Sequence, residues 1–353
     1  VVSQVFYGER SRNPLARTVE LTGDRLRGGG RTTPLSELNL GAMAEAFHRG
    51  FWLGGGGTER PLEWLPEGAG AVPVTRVTGT ATPLKVRQAS EFARALGELA
   101  VRRCGGPGQV TALAARARAE GVPLWIARRF AQGPAGPVTV TVDRRLVRVD
   151  VWGPGAPAVR IRAPRGFHPD SPEPGKGLRL TVGEVAAELV LRKRLRKSKS
   201  SVEVRLPDRS WVLSRKDAES SWLLRDERRV ALLARPSRRP EPDTVLLPLA
   251  PVRYESPDPL DAVMAQVFAV AFGLGDTTGS ARFRSKYRPW DGHEPADDAS
   301  WDRPWFSNLG RGRDDNEPGG GDGWGSDGGD GGSGDGGGGD SGGGGDGGGG
   351  GGD

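Results

Sequence analysis

The stretch "DPLDAVMAQVFAVAFGLGD", residues 258–276, restricts what this chain can fold into more than any other part of it. Asp258 is a favourable helix N-cap, Pro259 suits the first helical position, and Asp261 complements the positive start of the helix. Gly273 and Gly275 supply the stop. Between Ala262 and Phe272 only Gln266 is polar, so the helix predicted over 259–273 is apolar on nearly every side. About fifteen helical residues rise ~22 Å, against ~30 Å of bilayer hydrocarbon, so a membrane span is not expected. An all-round apolar helix of that length belongs inside a core.

The residues upstream are predicted to build that core. "VTVTV" (138–142), "LVRVDVW" (146–152), "AVRIR" (158–162), "LRLTV" (178–182) and "SVEVRL" (201–206) read as short strands. "WVLSR" (211–215), "SWLLRD" (221–226), "RVALLA" (230–235) and "TVLLPL" (244–249) continue the series. Several alternate apolar and polar residues, the mark of a strand with one wet face. Short links rich in Asp, Pro and Gly predict an antiparallel meander, since parallel pairs need long crossovers. The expected fold class is α+β: an antiparallel β-meander over 134–276, curled or closed into a barrel around the C-terminal helix.

The N-terminal region, 1–133, is predicted as mixed α/β. Helices are expected near 36–48, at 90–103 with Ser90 as N-cap, and at 107–120 before Gly121. The latter two are expected to form a helical hairpin packed on the sheet, with Cys104 between them. The pattern over 1–85 leaves open a separate unit or further strands.

This order, with the strand pair "WVLSRKDAESSWLLRDERRVALLARP" (211–236) ahead of the helix at 258–275, resembles the tubby-like fold, which also houses LURP-one-related and scramblase-like proteins. The resemblance covers residues 135–276 and rests on layout, with no binding residue matched by motif. It implies a non-enzymatic protein, some members of that fold binding membrane phosphoinositides. The strands read from the sequence are fewer than such a barrel has, so the remainder are expected from the N-terminal part.

Charge divides the chain. Residues 314–353 carry ten acidic groups and no basic one, so a formal net charge of +6 for the whole leaves +16 on residues 1–313. This glycine-rich tail has too few apolar side chains to offset the entropy of ordering it, and is expected to be disordered. Its aspartates are unevenly spaced, unlike a calcium-binding repeat. Ahead of it, a linker over 277–313 contains "RPW" twice and places Trp290, Trp301 and Trp305 in polar, proline-containing surroundings. Tryptophans there suit docking on the body or on a protein partner through 282–313. Of the 50 basic residues only seven are lysine, the mark of a GC-rich coding genome of the actinobacterial kind.

Catalytic chemistry is hard to find. His48, His168 and His293 are scattered and without metal-ligand spacing, so no metal site is expected. The glycine clusters lack the strand and helix context of a nucleotide loop, so no cofactor is implied. The single cysteine, Cys104, excludes an internal disulfide and, with no apolar leader in the first thirty residues, fits a cytoplasmic chain. A Cys104 nucleophile beside His48 or His168 is one reading; a partly buried cysteine at a helix end is the simpler one.

The run "LRKRLRKSKSS" (191–201) is different. Arg192, Lys193, Arg194, Arg196, Lys197 and Lys199 put six cations in eight positions, including three of the seven lysines. Such a run suits a polyanion, either anionic lipid or nucleic-acid backbone, or else a solvated hairpin end paired with the acidic tail. It holds no aromatic on which bases could stack. The function expected is therefore binding or scaffolding, with an enzyme whose site follows no motif, or an interaction module built on the tryptophan linker, as alternatives. Catalytic residues are not assigned, and the oligomeric state is not legible.

Overall fold

A computed structural model describes residues 4–9, 18–144, 147–163, 177–236 and 245–283. Trp290, Trp301 and Trp305, the tail 314–353, His168 and His293 lie outside the described residues. The described residues are mostly antiparallel β with four α-helices.

Strands β1 (Val5–Gly8), β2 (Glu20–Thr22), β3 (Arg25–Gly28) and β4 (Arg31–Pro34) form one small sheet. Helix α1 (Leu40–His48) follows, capped by Asn39, whose side chain accepts from the Ala42 amide at 3.1 Å. The predicted start at 36 is corrected here: Leu35–Glu37 is a separate 3-10 turn, and the Asn39 cap sets the helix origin. Two hairpins come next, β5 (Phe51–Leu53) with β6 (Glu59–Pro61) and β7 (Gly70–Thr75) with β8 (Ala81–Val86). Helices α2 (Ala89–Arg103) and α3 (Pro107–Glu120) complete this part, and both pack against α1. Gln88, not Ser90, precedes α2, so the expected serine cap lies inside the helix.

An eleven-stranded antiparallel sheet begins at Arg128, and every strand in it pairs with its sequence neighbour. Its members are β9 (Arg128–Gly133), β10 (Gly136–Asp143), β11 (Arg148–Trp152), β12 (Val159–Arg162), β13 (Arg179–Val182) and β14 (Val185–Arg192). They are followed by β15 (Ser201–Arg205), β16 (Ser210–Arg215), β17 (Ser220–Arg225), β18 (Arg228–Ala234) and β19 (Val252–Tyr254). Three of these escape the pattern of alternation. β9 reads "RRFAQG", β19 has three residues, and β14 contains "AAEL", a locally helical sequence that pairing on both sides makes a strand. The strand expected at 244–249 is not formed: its described residues, 245–249, are irregular, Pro248 having no amide to donate to a ladder. None of β1 to β8 joins this sheet, so most of the additional strands come from within it rather than from the N-terminal part.

Helix α4 (Pro259–Ala271) is the predicted apolar helix, with every residue from Leu260 to Ala271 buried in the same core as the inward valines and leucines of the large sheet. It packs against β9 at one edge of the sheet and β19 at the other, so the sheet curls into a nearly closed barrel. Arg129 on β9 reaches across to the Leu247 carbonyl at 3.0 Å, just ahead of β19. Among the described residues no backbone ladder joins β9 to β19.

Polar contacts fix the helix at both ends. Asp258 accepts from the Leu260 amide at 2.9 Å, and buried Asp261 takes the Trp211 indole N–H at 2.9 Å and the Arg225 guanidinium at 2.9 Å. Gln266, the one polar residue midway, donates to the Tyr254 hydroxyl on β19 at 2.8 Å. At the negative end Arg144, Arg282 and Arg235 donate to the carbonyls of Val270, Ala269 and Leu274. A second hydrophobic cluster, centred on Trp52, Phe92 and Leu96, belongs to the elements before β9.

Candidate functional site

β14 and β15 are joined by residues 193–200, which project from the end of the sheet where α4 terminates. The loop is folded rather than slack. The Ser200 hydroxyl accepts from the Arg194 amide at 2.9 Å, and a 3-10 turn at Lys197–Lys199 returns the chain to β15. Gly279 supports it from below with φ of +97°; a Cβ there would stand 2.6 Å from the Arg192 carbonyl oxygen.

Every residue from 192 to 199 is exposed, so the six predicted cations share one surface. Two are paired: Arg192 lies 3.5 Å from Glu203, and Lys197 lies 3.0 Å from Asp276. Asp276 also accepts from Arg215 at 2.7 Å, and these two hydrogen bonds hold its carboxyl below the ordinary carboxylate range. Lys193, Arg194, Arg196 and Lys199 have no carboxylate partner among the described residues. At the apex stands Leu195 at 105% relative exposure, an aliphatic side chain held wholly in water between cations.

The outer face of the sheet brings further basic residues together around an aromatic side chain, two of them paired: Arg253 with Glu255 at 2.8 Å and Lys216 with Asp217 at 3.6 Å. Pairing places Arg192, Ser201, Ser214, Trp222, Leu232 and Arg253 in one cross-strand row. With strands ~4.8 Å apart, Trp222 lies roughly 15 Å from Arg192. Arg229, Lys216 and Arg253 gather over its ring at 4.5, 5.5 and 5.9 Å from the centroid. The sequence shows each of these residues but not their union, because alternation assigns a face and not a partner strand.

A second concavity, about 590 Å³, opens between α1, α3 and the segment after α3. Leu53, Leu124 and Trp125 supply apolar wall, with Glu45, Glu59, Arg118 and Arg148 around them. Its carboxylates are engaged: Glu45 accepts from Arg49 at 2.7 Å, and Glu59 binds the same guanidinium. Arg148 is likewise turned to Asp150 at 2.9 Å. The cleft therefore gathers charge that is largely neutralised in place.

The other candidates are not brought together. His48 is exposed at the end of α1. Cys104 caps α2 among Ala44, Ala100 and Val110, where partial burial pushes its thiol up from its ordinary value. No group of three or more potential metal ligands occurs among the described residues, and no helix among them is long and apolar enough to cross a membrane. Comparisons with protein families, with curated proteins and with solved structures return no match.

Proposed function

We propose that this chain is a non-enzymatic binding protein, a barrel of tubby-like type wrapped on α4, whose basic hairpin tip docks on an anionic lipid surface. The observation that carries the reading is the tip itself: four cations with no carboxylate partner among the described residues, around an apex leucine that is fully exposed. Each Lys or Arg near an anionic bilayer contributes about 1 kcal/mol, and burying a leucine side chain contributes about 2 kcal/mol. Together these suffice for reversible docking. A nucleic-acid backbone would satisfy the same cations but would give Leu195 nothing, and the run has no aromatic for base stacking. The tubby-like kinship rests on the same order of parts, a meander followed by an apolar helix.

The test is co-sedimentation with vesicles containing roughly 30% phosphatidylserine, with duplex DNA as a parallel probe. Arg194→Glu with Arg196→Glu should weaken vesicle binding at least ~30-fold, and Leu195→Ser by about 30-fold without altering any charge. DNA binding that ignores Leu195→Ser, with no vesicle binding at low salt, would assign the tip to nucleic acid instead.

The alternative of an enzyme rests on the 590 Å³ cleft. Its carboxylates already accept from Arg49, so it is the weaker reading.

A further inference from the structure

The last described residues carry the chain to the foot of the basic tip. After α4 a 3-10 turn at Gly275–Thr277 and a β-bridge between Phe272 and Ala281 fold the chain back. Along this return Asp276 holds Lys197, and Gly279 lies under the Arg192 carbonyl and within reach of Ser200. Arg282 and Phe283 follow, both buried. Phe283, the last described residue, is thus four residues beyond the glycine that touches the base of the tip.

We propose that the acidic segment 314–353 is the intramolecular ligand of the tip, occupying Lys193, Arg194, Arg196 and Lys199 and competing there with an external anionic surface. The segment has ten carboxylates and no cation, and the tip offers four cations without a carboxylate partner among the described residues. Reach is not limiting: residues 284–313 could span up to ~3.3 Å each, and Phe283, from which they continue, is only four residues beyond Gly279. A tether of this kind presents its end at an effective concentration of order mM, enough for a weak multivalent ionic contact to be populated. The contact is screened by salt, since both sides are exposed. It leaves Leu195 uncovered, because the segment has one tryptophan, Trp324, and otherwise almost no apolar side chain. The competition rests on the proposed lipid docking; the contact between tail and tip does not.

Two measurements separate these parts. Zero-length carbodiimide coupling of the full chain, read by mass spectrometry, should join Lys193 or Lys199 to the peptide 314–353. The neighbouring Lys197–Asp276 pair, 3.0 Å apart, is the internal positive control. The tail cross-links should disappear in about 0.5 M salt, and in a full-length variant whose tail carboxylates are all changed to amides. Appearance of the control link without any tail link at low salt would overturn the contact. In the second measurement, removal of residues 314–353, or their conversion to amides, should strengthen binding to phosphatidylserine vesicles about five- to tenfold at low salt and hardly at all at about 0.5 M. Equal binding by the full and shortened chains would overturn the competition. Failure of both chains to bind vesicles would overturn the competition together with lipid docking, and the cross-links would still decide the contact.

Discussion

Asp150 has no exposed surface, yet it faces away from the barrel core, because its neighbours Val149 and Val151 point inward. It accepts from Arg148 at 2.9 Å, from Arg160 at 2.6 Å and from Arg162. Arg148 and Arg160 also reach the carbonyls of Gly121 and Glu120 at the end of α3. One carboxylate thus organises three guanidinium groups between the sheet and a helix terminus, where the helix dipole favours cations. Burial pulls Arg162 down from its ordinary value, against the pull of Asp150. Asp150→Asn keeps the shape and removes the charge that balances them. We expect a loss of about 3–5 kcal/mol and a fall in Tm of roughly 10 °C, measured by thermal denaturation. A loss below ~1 kcal/mol would mean that water already screens the cluster. The sequence shows "VDVW" with an aspartate on the polar side of a strand, which reads as an ordinary solvated position; in the structure Arg148, Arg160 and Arg162 converge on it and it has no exposed surface.

At the scale of the element, the hairpin between β17 and β18 sets the register of the inner face. Its two central residues, Asp226 and Glu227, both have positive φ, 47° and 68°, the geometry of a type I′ turn. Asp226 is anchored by accepting from the Ser210 amide at 2.9 Å, whereas Glu227 is exposed and pays the left-handed cost of an ordinary side chain. Glu227→Gly should therefore stabilise the chain by about 1 kcal/mol in denaturant titration, with no change of strand pairing. A neutral or destabilising result would show that the turn relaxes in solution. The sequence marks this turn clearly, as "RDERR" between two apolar strands. It marks β14 poorly, because Ala186, Ala187 and Glu188 favour a helix when read alone and become strand only by pairing with β13 and β15.

On the scale of the whole molecule, the sheet is a curled meander with a seam. β9 and β19 both meet α4, but side-chain contact, including Arg129 on the Leu247 carbonyl, takes the place of a ladder between them. Arg129→Ala should lower the local opening free energy by about 2 kcal/mol, so amides of β9 and β19 exchange ~30-fold faster while those of β15 and β16 are unchanged. Uniform acceleration across the sheet would mean that the barrel opens only as one unit. What the sequence determined by itself is what depends on neighbours along the chain. Capping, apolarity and length placed α4 in a core, alternation marked most strands, and composition separated a basic body from an acidic tail. What the tertiary structure decided depends on neighbours across space. It set the eleven-strand pairing, the burial of Asp150, the row that joins Arg192 to Trp222, and the seating of Gly279 against the base of the basic tip. The reason is physical: a period-two pattern states which face a residue occupies, while the strand beside it, and hence its electrostatic company, is chosen by how the whole sheet closes on its helix.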